Sequence, residues 1–62
     1  MKTLIKNLND GTIVEVDISH QKHFPRVGEY LTLEGTNFIV NNLNTIISKN
    51  EPSYTIILVV PI

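Results

Sequence analysis

The last ten residues, Ser53 to Ile62, read SYTIILVVPI and carry apolar side chains on both parities of an extended strand. Successive side chains of a strand point to opposite faces, so Tyr54, Ile56, Leu58, Val60 and Ile62 share one face and Ile57 and Val59 share the other. A small sheet with one wet face needs apolar residues only at alternate positions. On the sequence alone, the parity of Tyr54 is assigned to the core. Ile57 and Val59 call for cover by another copy of the chain, a partner or a tightly closed barrel, and are assigned to an oligomer interface.

Length sharpens that expectation. A chain of 62 residues is a single domain, residues 1–62, at the lower end of independent folding. A domain of this size hides only ~60% of the surface that its unfolded chain exposes. There is no cysteine, so disulfides and thiolate-bound zinc are excluded as staples. An idealised core and self-association are the remaining routes to stability, of which self-association is preferred, and the absence of cysteine fits a reducing, cytoplasmic setting. The longest apolar run, Ile56 to Val60, is far shorter than the ~20 residues of a membrane-spanning helix, so no membrane role is expected. The start, MKTLIKNLND, meets polar residues before an apolar segment develops, so no signal peptide is expected.

Period-two patterning organises the rest. Leu4 to Leu8 reads as a strand, and Asn9-Asp10-Gly11 as its turn, because Asp-Gly suits the backbone of tight hairpins. Thr12 to Ile18 alternates, with Val14, Val16 and Ile18 inward and Glu15 and Asp17 outward. Ser19 to Val27 breaks the alternation and forms the one long loop, with Phe24 expected to tuck beneath it as a plug ahead of Pro25. Glu29 to Leu33 alternates again, and Glu34-Gly35-Thr36-Asn37 supplies a second turn. In the strand from Phe38 to Ile47 the apolar parity slips, which places a β-bulge at Asn41-Asn42. Ser48 to Pro52 is the last turn. The expected fold is all-β, a five-stranded antiparallel meander closing into a small barrel.

The stretch Phe24-Pro25-Arg26-Val27-Gly28-Glu29-Tyr30-Leu31-Thr32-Leu33, followed by a turn, Phe38-Ile39-Val40 and a proline-containing terminal strand, resembles small phage-encoded or phage-like β-barrel proteins of the Src-homology-3 type. The resemblance covers roughly the last forty residues. It implies a compact barrel that assembles with copies of itself. Some small viral proteins of this style are non-enzymatic sponges that hold a nucleotide immune signal between protomers.

The residues themselves offer one recognition cluster. Lys22, His23, Arg26 and Tyr30, with His20 beside them, combine cations, imidazoles and an aromatic ring, which suits a small anionic ligand such as a nucleotide. Asn42, with Asn41 and Asn44, adds amide donors and acceptors at the expected bulge. Ser19 next to His20 is adjacency in sequence, which points the side chains apart, so no nucleophile and base are assigned and no enzyme activity is expected. His20 and His23 lack the further ligands of a metal site, and no cofactor is expected. The net charge is −1, and the five basic residues are scattered at Lys2, Lys6, Lys22, Arg26 and Lys49, which disfavours nucleic acid. The expected function is therefore a homo-oligomeric, non-catalytic module that sequesters a nucleotide-like ligand. The alternative is a protein-interaction or structural accessory module of a phage, in which Ile57 and Val59 dock on a different protein, and a third reading is weak nucleic-acid binding.

Overall fold

The computed structural model describes residues 2–17 and 24–62, within which five strands form and no helix does. They are β1 (Lys2–Asn7), β2 (Ile13–Val16), β3 (Tyr30–Leu33), β4 (Thr36–Ile46) and β5 (Tyr54–Pro61). All five belong to one sheet in the order β2-β1-β5-β4-β3. The all-β expectation holds, and the simple antiparallel meander does not. Strand β1 runs parallel to β5, with Thr3 opposite Thr55 and Ile5 opposite Ile57, so the sheet is mixed. Local alternation carries no information on strand order, and this pairing joins the two ends of the chain.

The position of β5 explains its composition. It lies in the middle of the sheet, with β1 on one side and β4 on the other. Strands covered on both faces read as near-continuous apolar runs, and β5 combines a buried inner parity with a half-buried outer one. The core sits on the parity opposite to the one expected from the sequence. Ile57 and Val59 are fully buried and form the core with Ile5, Phe38 and Val40, while Ile56, Leu58 and Val60 are half-buried on the other face. The assignment of Ile57 and Val59 to an oligomer interface is thereby corrected: their side chains are enclosed within their own chain. The physical reason is register. Thr3 and Ile5 of β1 and Val40 and Leu43 of β4 place their inward side chains level with Thr55, Ile57 and Val59.

Cross-strand rows build the inner face. Val14, Ile5, Ile57 and Leu43 form one row across β2, β1, β5 and β4. Val16, Thr3, Thr55 and Thr45 form the next, where the Thr45 and Thr55 hydroxyls lie 3.3 Å apart and share a hydrogen bond. The bulge expected at Asn41-Asn42 is present: the β4–β5 register shifts between Val40 and Asn42. One extra residue keeps Phe38 and Val40 on the same face as Leu43 and Thr45, and it increases the bend of the strand. The sheet curls into a half-barrel. Its edges β2 and β3 line a common cleft through Val16, Leu31 and Leu33 without pairing to each other.

Two turns set the edges. Leu33 pairs with Thr36 across Glu34-Gly35, whose φ angles of 51° and 81° are those of a type I′ hairpin turn. Arg26 to Glu29 forms a second turn, closed by the Glu29 N–H donating to the Arg26 carbonyl at 3.0 Å, with Gly28 at φ 91° in the position where a type II turn requires a positive angle. Phe24 remains 39% exposed, and Pro25 lines the inner cleft where Phe24 was expected as a plug.

Two outcomes follow for chemical denaturation. Ile57→Ala is expected to lose about 3 kcal/mol of stability through the cavity it leaves, and Ile56→Ala on the outer face about 1 kcal/mol. The reverse ranking would contradict the assigned parity. Glu34 occupies a left-handed conformation that Asn adopts more readily, so Glu34→Asn is expected to gain about 0.5 kcal/mol. A loss on that substitution would argue against the type I′ turn.

Candidate functional site

Of the ligand contacts expected from the sequence, Tyr30 and Asn42 lie on the outer parity of the sheet and Arg26 lies in the turn that precedes β3. Gly28 N–H donates to the Val40 carbonyl at 2.9 Å, and Val40 N–H donates to the Glu29 carbonyl at 2.9 Å. These bonds carry the β3–β4 ladder back to the turn at Arg26 and deliver that turn to the bulge. Tyr30 pairs with Ile39, and Asn42 pairs with Leu58, both pairs on the outer parity. Tyr30 and Asn42 thus share the outer face, and Arg26 sits on the turn that the bulge receives, next to Pro25, which lines the inner cleft. Lys22 and His23 lie among residues 18–23, outside the described residues.

Each of the three side chains has a distinct setting. Tyr30 is 72% exposed, an unusual setting for a strand aromatic, and its ring is open to a ligand. Arg26 is exposed, and its main-chain N–H donates to Glu29 Oε1 at 2.7 Å, which locks the turn that carries the guanidinium. Asn42 accepts from the Leu43 N–H through Oδ1 at 2.9 Å, an interaction that orients its amide at the bulge and leaves the NH2 group to donate outward. A planar cation, an aromatic face and an amide donor can together hold an anionic group attached to a ring.

The inner face carries a second feature that sequence reasoning missed. A cleft of about 350 Å³ lies between the sheet edges, lined by Ile5, Val16, Pro25, Leu31, Leu33 and Ile57, with Thr32 and Asp17 as its polar members. A smaller one of about 190 Å³ is lined by Ile5, Val14, Leu33, Phe38 and Val59, with exposed Asp10 and Glu34 bordering it. The sequence signal was the inward parity of Val14 and Val16 on β2 and of Leu31 and Leu33 on β3. Four apolar residues on edge strands line an open seam when the barrel stops short of closure. The carboxylates of Asp10 and Glu34 make this side unsuited to an anion.

Asp10 also closes the first hairpin. The Thr12 main-chain N–H donates to Asp10 Oδ1 at 2.9 Å, and this bond, reinforced by the Thr12 hydroxyl, holds the Asp10 carboxyl below its ordinary value. Among the described residues no group of three or more His, Cys, Asp or Glu side chains gathers as metal ligands, and no helix is long and apolar enough to cross a membrane. No protein-family model, no curated protein and no solved structure matches the chain.

The sign of the Asp10 effect on stability is set by the lowered pKa. The folded chain holds the carboxylate ionised more firmly than the unfolded chain does. The contribution is complete above the unfolded value of about 3.9 and disappears as pH falls through the lower folded value. Thermal melts between pH 5 and pH 2 are expected to fall less steeply for Asp10→Ala than for the wild type. Parallel curves would remove Asp10 from the acid response.

Proposed function

We propose that the chain is a non-catalytic binding module, assembled from copies of itself, that takes a small anionic ligand such as a nucleotide at the bulged end of its outer face. The observation that carries this reading is exposed Tyr30 on the outer parity with Asn42 at the bulge, and Arg26 on the locked turn that the bulge receives. Rigid sheets that present loop and bulge residues are common scaffolds for binding. The ring of Tyr30 offers a stacking surface for a base, and the Arg26 guanidinium a fork for phosphate oxygens.

A second reading is a protein-interaction module. It is favoured by the half-buried apolar side chains that β5 turns outward, Ile56, Leu58 and Val60. Under this reading the partner is a different protein, and Tyr30 is a rim anchor of that interface.

Titration with a panel of mononucleotides, cyclic nucleotides, pyrophosphate and inorganic phosphate separates the two. Under the first reading at least one nucleotide raises the melting temperature, and Tyr30→Ala and Arg26→Ala each weaken its binding tenfold or more, about 1.4 kcal/mol. Absence of any thermal response across the panel would overturn it.

A further inference from the structure

We infer that the smaller inner cleft is a binding site for a free primary alkylammonium ion of about five carbons, held with its charge at the rim and its chain on the floor. The site lies on the face opposite to Tyr30 and Asn42 and takes a ligand of the opposite charge, so it stands apart from the anion reading.

The cleft changes character from floor to rim. Its floor is the buried core itself, Ile5, Phe38 and Val59, and its rim carries the exposed residues Asp10 and Glu34. These two acids come from different hairpins, the β1–β2 turn and the β3–β4 turn, which the curl of the sheet brings to one opening. Among the described residues no Lys or Arg lines this cleft, so its lining charge is wholly negative. The ion pair between Lys2 and Glu15, 3.5 Å apart, belongs to the outer parity and leaves both rim carboxylates untouched.

Both rim groups sit on fixed turns. The Gly11 N–H closes the first turn by donating to the Asn7 carbonyl at 2.8 Å, and the Thr12 N–H bond to Asp10 Oδ1 at 2.9 Å holds that carboxyl ionised. Glu34 stands in the two-residue turn between the paired residues Leu33 and Thr36. A carboxylate has about four lone-pair sites, so acceptor capacity remains for a further donor. Groups already ordered lose little freedom when a ligand arrives.

Size and polarity select the occupant. A volume of about 190 Å³ holds about six water-sized groups, which matches a five-carbon chain with its nitrogen. An anion is repelled at the rim. A hard divalent cation needs ~6 oxygen ligands, and the apolar floor supplies none of them. The side chain of a lysine on another protein would enter ammonium first and carry its charge onto Ile5, Phe38 and Val59, which costs its hydration. A free alkylammonium enters tail first. Its chain then covers the floor, and its ammonium donates charge-assisted hydrogen bonds to Asp10 and Glu34.

Titration of the isotope-labelled full chain with pentylammonium, followed by amide chemical shifts, tests the site, with pentanol and pentanoate as neutral and anionic controls. Saturable shifts are expected at Gly11, Thr12 and Gly35, with binding about tenfold or more tighter than pentanol, weakened by salt and absent for pentanoate. Two variants remove charge without removing the fold. Glu34→Asn suits its turn, and Asp10→Asn keeps an acceptor oxygen for the Thr12 N–H. Each is expected to weaken pentylammonium about fivefold or more and to leave pentanol unchanged. Nα-acetyl-lysine amide, which presents its ammonium first, is expected to bind about tenfold or more weakly than pentylammonium. Pentanol or the lysine amide binding as tightly as pentylammonium would overturn the proposal. So would undiminished binding by both variants, or shifts that fail to saturate or gather at Tyr30 and Asn42.

Discussion

The parallel pairing of β1 with β5 is the constraint on which the rest of the fold depends. Its partners, such as Ile5 and Ile57, stand 52 positions apart, so the two ends of the chain meet at the centre of the sheet. Without that seam the chain divides into a β1–β2 hairpin and a β3–β4–β5 meander. A lone hairpin is marginal in water, and the meander would lose Ile5 from its core. The cost of closing so long a loop precedes the gain from burial, which makes folding dependent on non-local contacts.

The bulge at Asn41 converts this seam into a shape. It preserves the inward parity of β4 on both sides of the irregularity and bends the sheet around Ile57 and Val59. The same bulge receives the Arg26 turn through the bonds between Gly28, Glu29 and Val40. One extra residue thus shapes the core and receives the Arg26 turn, while Tyr30 and Asn42 lie on the other face. The curl stops before β2 meets β3, and the inner cleft between them is the consequence.

Much of this was legible in the sequence. Alternation in Thr12 to Ile18 and Glu29 to Leu33 located the edge strands, and the parity slip after Val40 located the bulge, because both are local steric properties. The Gly35 turn was legible for the same reason. Strand order was not, since the seam between β1 and β5 is a pairing of distant segments with no local signature. The inversion of the β5 parity follows from that gap. Both parities are apolar, and only the register against Thr3, Ile5, Val40 and Leu43 decides which of them is the core. For the site, Tyr30 and Asn42 were legible as residue types. That Tyr30 and Asn42 share the outer face depended on the bulge, and Lys22 and His23 lie outside the described residues.

The two faces of β5 therefore differ: Ile57 and Val59 hold the chain together, and Ile56, Leu58 and Val60 form a half-buried apolar stripe on the opposite side of the sheet. Backbone NOE mapping with amide exchange is the direct measurement of the seam that makes this so. Parallel-strand contacts between the segments around Ile5 and Ile57, with the slowest-exchanging amides in β5, are expected. Antiparallel contacts between those segments, or β5 amides that exchange as fast as those of the edge strands β2 and β3, would contradict it.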